Sequence, residues 1–273
     1  MEMGSTTELL PSSAYSALEG DSFRPSALTR GPWHPDHQHA GPPIALLCRA
    51  IENAALNTGL THLSRLTANL LRPVPIRDLA IGVTTNYVGR NSGHYSARLV
   101  ADDKEVANVT ALAQRENGVP LPDGLPGHPL PGGPREPDDS PAALFPFRSE
   151  RLGYADLVDT RIARGAFFKG PCAIWFRLRH PLIESEEPSA YQRVAVAADS
   201  GNGISAILDF ARYSFLNLDL TINLLRRPIG EWICVDARTF LGPSGCGLTE
   251  SMLYDVNGAI GRATQSLAIR ARR

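Results

Sequence analysis

Three histidines, His34, His37 and His39, fall within one short stretch of the chain, and neutral imidazoles at such spacing are common zinc ligands. Pro35 interrupts the run, and no cysteine or glutamate stands close by as a fourth ligand, so the sequence argues against a metal centre. Cys246, in Gly245-Cys246-Gly247, is a nucleophile by type. A glycine-flanked turn gives it no base, and the chain contains no Gly-x-Ser-x-Gly that would offer a serine instead. Gly201-x-Gly203 lacks the third glycine and the preceding strand of a dinucleotide loop, so no nicotinamide cofactor is expected. Arg72, Arg226 and Arg227 could meet phosphates, although exposed arginines most often only solvate a surface.

The chain that must position these groups has 273 residues, 43% of them hydrophobic and 20% charged, which is ample material for a core and excludes disordered, collagen-like and coiled-coil classes. Its length suits one large domain or two smaller ones, and two is the expectation. With 27 basic against 28 acidic side chains it has no basic field of the kind that holds a nucleic acid or an anionic lipid surface. Cys48, Cys172, Cys234 and Cys246 form no Cys-x-x-Cys pair and read as buried thiols in a reducing compartment. No basic residue precedes Arg24, and nothing approaches the ~18 consecutive apolar residues of a membrane span, so a cytoplasmic location is expected.

Between residues 118 and 146 lie nine of the 22 prolines. Neither helix nor strand ladder survives that density, so this segment reads as an extended connector. The halves on either side repeat. Leu66-Thr67-Ala68-Asn69-Leu70-Leu71-Arg72 matches Leu220-Thr221-Ile222-Asn223-Leu224-Leu225-Arg226 at six of seven positions, an offset of 154 residues. The same offset carries Val106-Ala107-Asn108-Val109-Thr110-Ala111 onto Ile260-Gly261-Arg262-Ala263-Thr264-Gln265.

Each copy has the same order of signals. In the first, residues 42–60 read as a helix opened by two prolines, rich in Ala and Leu, and closed at Gly59. Strand patterns follow at 63–71, 78–89, 94–101 and 105–115, parted by turn signals such as Asp102-Asp103. In the second, 151–180 supplies extra strand material, 189–215 contains the helix, and 219–226, 231–240, 248–255 and 259–270 are strands. One long helix wrapped by an antiparallel sheet, made twice in one chain, is an α+β double hotdog, here with an N-terminal repeat at 1–116, a Pro-rich connector at 117–150 and a C-terminal repeat at 151–273.

Ala197-Ala198-Asp199-Ser200-Gly201-Asn202-Gly203, Asn217-Leu218-Asp219-Leu220-Thr221, Gly230-Glu231-Trp232, Gly247-Leu248-Thr249-Glu250-Ser251 and Gly261-Arg262-Ala263-Thr264-Gln265-Ser266-Leu267 together resemble the acyl-CoA thioesterase II-like double-hotdog proteins of bacteria. Gly31-Pro32-Trp33 and His39-Ala40-Gly41-Pro42-Pro43 look like the segment leading into that family's first helix. The resemblance implies a hydrolytic site in which Asp199, Asn217 and Gln265 hold the attacking water, with Asn217 standing where well-studied members have threonine. It also implies an acyl-CoA substrate; His39, just before the first helix, reads as lining of the acyl or pantetheine channel, with Gly41, Gly201 and Gly203 as further substrate-binding positions.

The chemistry fits those residue types. A carboxylate flanked by two amides can orient a water from three sides, and N–H groups at a helix start beside Gly201 and Gly203 can steady an oxyanion. At the 154-residue offset Asp199, Asn217 and Gln265 fall on Ala45, Leu63 and Ala111, so a single site on the second copy is expected. No metal or redox cofactor is required, and outer surfaces are left to build a homo-oligomer. Two alternatives stand beside hydrolysis: a non-catalytic acyl-CoA or acyl-carrier binder, and a hotdog enoyl-CoA hydratase or dehydratase. The latter would want an Asp/His pair, and no histidine adjoins Asp199 in the chain. Phe167, Phe168, Trp175 and Phe210 could line an acyl tunnel or fill the core, with core the default.

Overall fold

In the computed structural model, which describes residues 10–125, 132–146 and 150–272, a small hairpin of β1 (Tyr15–Ala17) and β2 (Ser22–Pro25) leads into helix α1 (Gly41–Leu56) and strands β3 (His62–Leu70), β4 (Leu79–Val88), β5 (Ser92–Ala101) and β6 (Lys104–Gln114). After the two-residue β7 (Ala142–Ala143) come α2 (Tyr154–Leu157), β8 (Val158–Arg164), β9 (Cys172–Leu178), α3 (Ala190–Ala198), α4 (Gly201–Ile204), β10 (Tyr213–Asn217), β11 (Asp219–Leu224), β12 (Ile233–Leu241), β13 (Cys246–Asp255) and β14 (Gly258–Ala271). The strands form one sheet in the order β1-β2-β4-β5-β6-β3-β11-β14-β13-β12-β9-β8-β7, with β10 also on β14. This is the α+β double hotdog. Strands β4, β5 and β6 begin at Leu79, Ser92 and Lys104, and β12, β13 and β14 begin 154 residues later.

The copies join where β3 pairs antiparallel with β11, and the register sets Thr67 opposite Thr221. Each threonine meets its own counterpart, so a local two-fold axis passes through that pair. Asp102 and Asp103, both at positive φ (48° and 59°), make the tight β5–β6 turn. In the β5–β6 ladder, inward residues such as Tyr95, Leu99, Val109 and Ala113 alternate with outward polar ones, as a half-buried sheet requires.

Helix α1 is buried without a break from Gly41 to Cys48, because Pro-Pro-Ile-Ala-Leu-Leu-Cys is apolar on every side. Ile44, Leu46, Leu47 and Ile51 are fully buried, each contributing roughly 1.5–3 kcal/mol. Helix α3 starts at Ser189, whose Oγ accepts from the Gln192 N–H at 3.1 Å. The two helices lie against each other inside the sheet. A Cβ on Gly41 would come within 2.6 Å of the Val196 carbonyl, so only glycine allows this approach.

Three expectations change. The second helix breaks at Asp199-Ser200 into α3 and α4, and the chain beyond becomes loop and β10. Cys48, Cys172 and Cys234 are buried, but Cys246 is exposed, since it opens β13 at the tip of a hairpin. The connector is not wholly extended, because β7 pairs with β8 and Phe145 is buried against the core; residues 126–131 and 147–149 of it lie outside the described residues. Among the described residues no helix is long and apolar enough to cross a membrane.

Candidate active site

Asp199 closes α3 and sits at the break before α4, its side chain only 4% exposed. Its Oδ1 accepts from Asn217 Nδ2 at 2.7 Å, and Asn217 is held at the end of β10 by pairing with β14. Its Oδ2 lies 3.0 Å from His39 Nδ1. Two lone pairs would repel at that distance, so one proton lies between them. The His39 ring lies flat on Tyr154, with centroids 3.7 Å apart and planes 4° apart. The Tyr154 hydroxyl donates to the Val196 carbonyl at 3.0 Å and meets Ser200 Oγ at 3.0 Å. Burial pushes the Tyr154 hydroxyl well up, so it stays a neutral donor beside the carboxylate.

The structure thus brings Asp199, Asn217 and His39 together. The sequence reading had counted the lack of a neighbouring histidine against an Asp/His pair, and the pair exists, made across the two copies. Helices α1 and α3 run antiparallel about the two-fold axis, so the residue before one helix meets the end of the other. No spacing along the chain signals that meeting.

Gln265, on β14 and 1% exposed, makes two hydrogen bonds to the backbone at the helix break. Its Nε2 donates to the Asp199 carbonyl at 3.1 Å and its Oε1 accepts from the Asn202 N–H at 3.0 Å. These bonds fix the backbone on both sides of the helix break. They also occupy the Asn202 N–H in the first turn of α4. Gly201 packs inward, where a Cβ would come within 2.8 Å of Ser251 Oγ and 3.0 Å of Gln265 Oε1. Gly41 faces Val196, whereas His39 and Gly203 line the cavity described next.

A cavity of about 390 Å³ opens above Asp199, between the copies. Trp33, Leu70, Val74, Phe145, Leu216 and Leu218 give it apolar walls, and Arg72, His34 and His37 lie on its border. The His34 and His37 rings stack at 4.3 Å, and among the described residues no group of three or more His, Cys, Asp or Glu could hold a metal ion. Arg226 turns away to pair with the buried Asp255. Phe210 and Phe168 stack behind Trp33, while Trp175 fills a separate cluster with Trp232 and Tyr254. Of the aromatic residues considered from sequence, none borders the cavity.

Across the two-fold axis, Leu63 and Ala111 stand opposite Asn217 and Gln265 as the offset requires, both buried and apolar. Ala45 is not the counterpart of Asp199. Ala45 lies in the early turns of α1 whereas Asp199 ends α3, and the carboxylate nearer the end of α1 is Glu52, which accepts from Ser189 Oγ at 2.8 Å and Gln192 Nε2 at 3.1 Å. Burial pushes the Glu52 carboxyl up, with the Ser189 and Gln192 hydrogen bonds opposing it. The counterpart of the cavity has shrunk to about 10 Å³ between Leu63, Leu66, Ile222 and Leu224.

The architecture is that of a paired-hotdog protein with a carboxylate buried under an apolar cavity. Residues 29–114 match the acyl-CoA thioesterase N-terminal domain and residues 122–269 the acyl-CoA thioesterase C-terminal domain, so the chain belongs to the acyl-CoA thioesterase family. Comparison with curated proteins returns no match. Among solved structures, a hot dog fold protein of unknown function from Alicyclobacillus acidocaldarius is similar with a TM-score of 0.72 at 16% identity, covering 96% of this chain and 97% of that one. The acyl-CoA thioesterase II TesB2 of Mycobacterium marinum is similar with a TM-score of 0.63 at 17% identity, covering 94% and 96%. The tesB protein of Mycobacterium avium subs paratuberculosis gives 0.67 at 13% identity, covering 93% and 95%. At these identities the likeness establishes the fold.

Proposed function

We propose that the protein is a thioester hydrolase that cleaves an acyl-CoA to a free acid and coenzyme A in the cavity above Asp199. The observation that carries this reading is a buried carboxylate, fixed by Asn217 and His39, at the floor of an apolar cavity of about 390 Å³. Asp199 supplies the negative charge that activates a water, Asn217 fixes the carboxylate, and Gln265 fixes the backbone that carries it. The acyl-pantetheine arm runs past His39 and Gly203, while Gly41 and Gly201 let the surrounding walls close. The water oxygen bonds to the thioester carbon, the carbon–sulfur bond breaks, and the water's proton ends on the thiolate.

The reading includes repeats at 1–116 and 151–273 joined by the connector 117–150, a cytoplasmic location, lipid or fatty-acid metabolism as the setting, and assembly as a homo-oligomer. Neither a metal nor a redox cofactor takes part. The His39–Asp199 contact favours one second reading, hydration of an enoyl thioester, since that chemistry also uses an Asp/His pair. Family membership weighs towards hydrolysis.

Thiol release from short, medium and long acyl-CoAs, compared with Asp199→Ala and Gln265→Ala, tests the proposal. Release that collapses in both variants supports it. Loss of enoyl absorbance without thiol release supports hydration, and tight binding with neither reaction makes the protein a binder.

A further inference from the structure

We infer that Nε2 of His39 is the base that takes the proton from the attacking water, with Asp199 as its orienting partner. The inference rests on the hydrolytic reading above and divides the labour within that site. Asp199 lines the cavity, but both of its oxygens are already engaged. One of its oxygens is taken by Asn217 and the other faces His39, and its side chain is 4% exposed.

His39 is placed differently. The Gly41 N–H points at Nδ1 from 3.2 Å as a competing donor, but the carboxylate is nearer, at 3.0 Å, and its charge-assisted bond outweighs that of a neutral amide, so Nδ1 carries the proton and donates it to Asp199. That tautomer leaves a lone pair on Nε2. Among the described residues Nε2 has no hydrogen-bond partner, and the only buried side-chain nitrogen or oxygen without one is Arg65 Nε. Nε2 is therefore open to the cavity that His39 lines. Stacking on Tyr154 holds the ring plane, and Tyr154 is in turn held by Val196 and Ser200. The titratable or charged groups around the ring are Asp199 from α3, Tyr154 from α2, and His34 and His37 on the same cavity wall.

The step balances without a further reactant. As the water oxygen attacks the thioester carbon, its proton passes to Nε2 and the imidazolium is stabilised by the Asp199 carboxylate. The tetrahedral intermediate collapses, the carbon–sulfur bond breaks with its electrons on sulfur, and the imidazolium returns the proton to the departing thiolate. The same arrangement of orienting carboxylate, imidazole and cavity is the logic of the Ser-His-Asp triad with water in place of serine.

The test is thiol release from an acyl-CoA that the parent protein cleaves, measured for His39→Ala, His39→Asn and Asp199→Asn, with and without added imidazole. The expected result is a fall in kcat of about 10²–10⁴ in each, with KM little changed, and partial recovery of His39→Ala alone when imidazole is supplied. His39→Asn keeps an amide where Nδ1–H stood and nothing where Nε2 stood, so it carries the test if His39→Ala does not fold. Turnover of His39→Asn within about threefold of the parent, or a folded His39→Ala that imidazole does not restore, overturns the assignment and leaves Asp199 as the base. A parent protein that cleaves no acyl-CoA overturns the hydrolytic reading itself, which is a separate outcome.

Discussion

Thr221 Oγ1 donates a hydrogen bond to Thr67 Oγ1 at 3.3 Å across the seam where the two copies meet. The two residues are counterparts in the repeat, so the bond marks the local two-fold axis. Everything that distinguishes the copies can be measured from it. On one side of the axis Asn217 and Leu70 border a cavity of about 390 Å³, and on the other Leu63 and Leu224 border one of about 10 Å³.

The seam predicts that neither repeat stands alone. Without β11 the edge of β3 is bare, and without α3 the buried face of α1 meets water. Fragments 1–116 and 151–273 produced separately are expected to show no cooperative thermal melt, and produced together to copurify. A sharp melt for either fragment by itself would contradict this.

Gln265→Ala should cost stability as well as activity. It strips partners from the Asn202 N–H and the Asp199 carbonyl, at about 1–3 kcal/mol for each buried group left unpaired. Urea unfolding reads the loss. Gln265→Glu, which sets a buried carboxylate against the Asp199 carbonyl, is expected to be at least as unstable at neutral pH as the alanine variant.

Gly41→Ala places a methyl 2.6 Å from the Val196 carbonyl and 3.3 Å from His39 Nδ1. The first neighbour is backbone and cannot turn aside, so α1 and α3 must part, at about 1–3 kcal/mol. Because the second neighbour belongs to the His39–Asp199 contact, kcat should fall along with the melting temperature. A stable variant with full turnover would show that the helices have slack at this point.

Glu52 gives a pH dependence whose sign follows from its burial. Its carboxyl is raised in the folded chain, so the folded state holds that proton more tightly than the unfolded one. The group's contribution is fully present below the ordinary glutamate range and is lost as pH rises through the raised folded value. Glu52→Gln should therefore melt higher than the parent at neutral pH, with the difference disappearing in acid. Equal melting temperatures at every pH would mean that Ser189 and Gln192 offset the burial in full.

Much of this architecture was legible in the residues. The match between Leu66–Arg72 and its copy, with the turn at Asp102-Asp103 and proline at the head of α1, placed the strands to within a residue or two, because strand register and helix starts are set by local pattern. The break at Asp199-Ser200 was not legible, since it is fixed by Gln265 from a distant strand. The role of Gln265 and the pairing of His39 with Asp199 escaped for the same reason. Each is a contact between copies or between layers, and no spacing along the chain encodes it. Ala45 misled because the offset that serves the strands does not serve the helices, where Ala45 lies in the early turns of α1 and Asp199 ends α3.

The pocket between Leu63 and Ile222, only about 10 Å³ in volume, also bears on how many ligands a chain would hold under the proposed function. With room for a ligand on one side of the axis only, a single chain is expected to saturate at one thioester and to respond to concentration along a plain hyperbola. Any sigmoidal response would have to be negotiated between chains, since inside one chain there is no second occupant to consult.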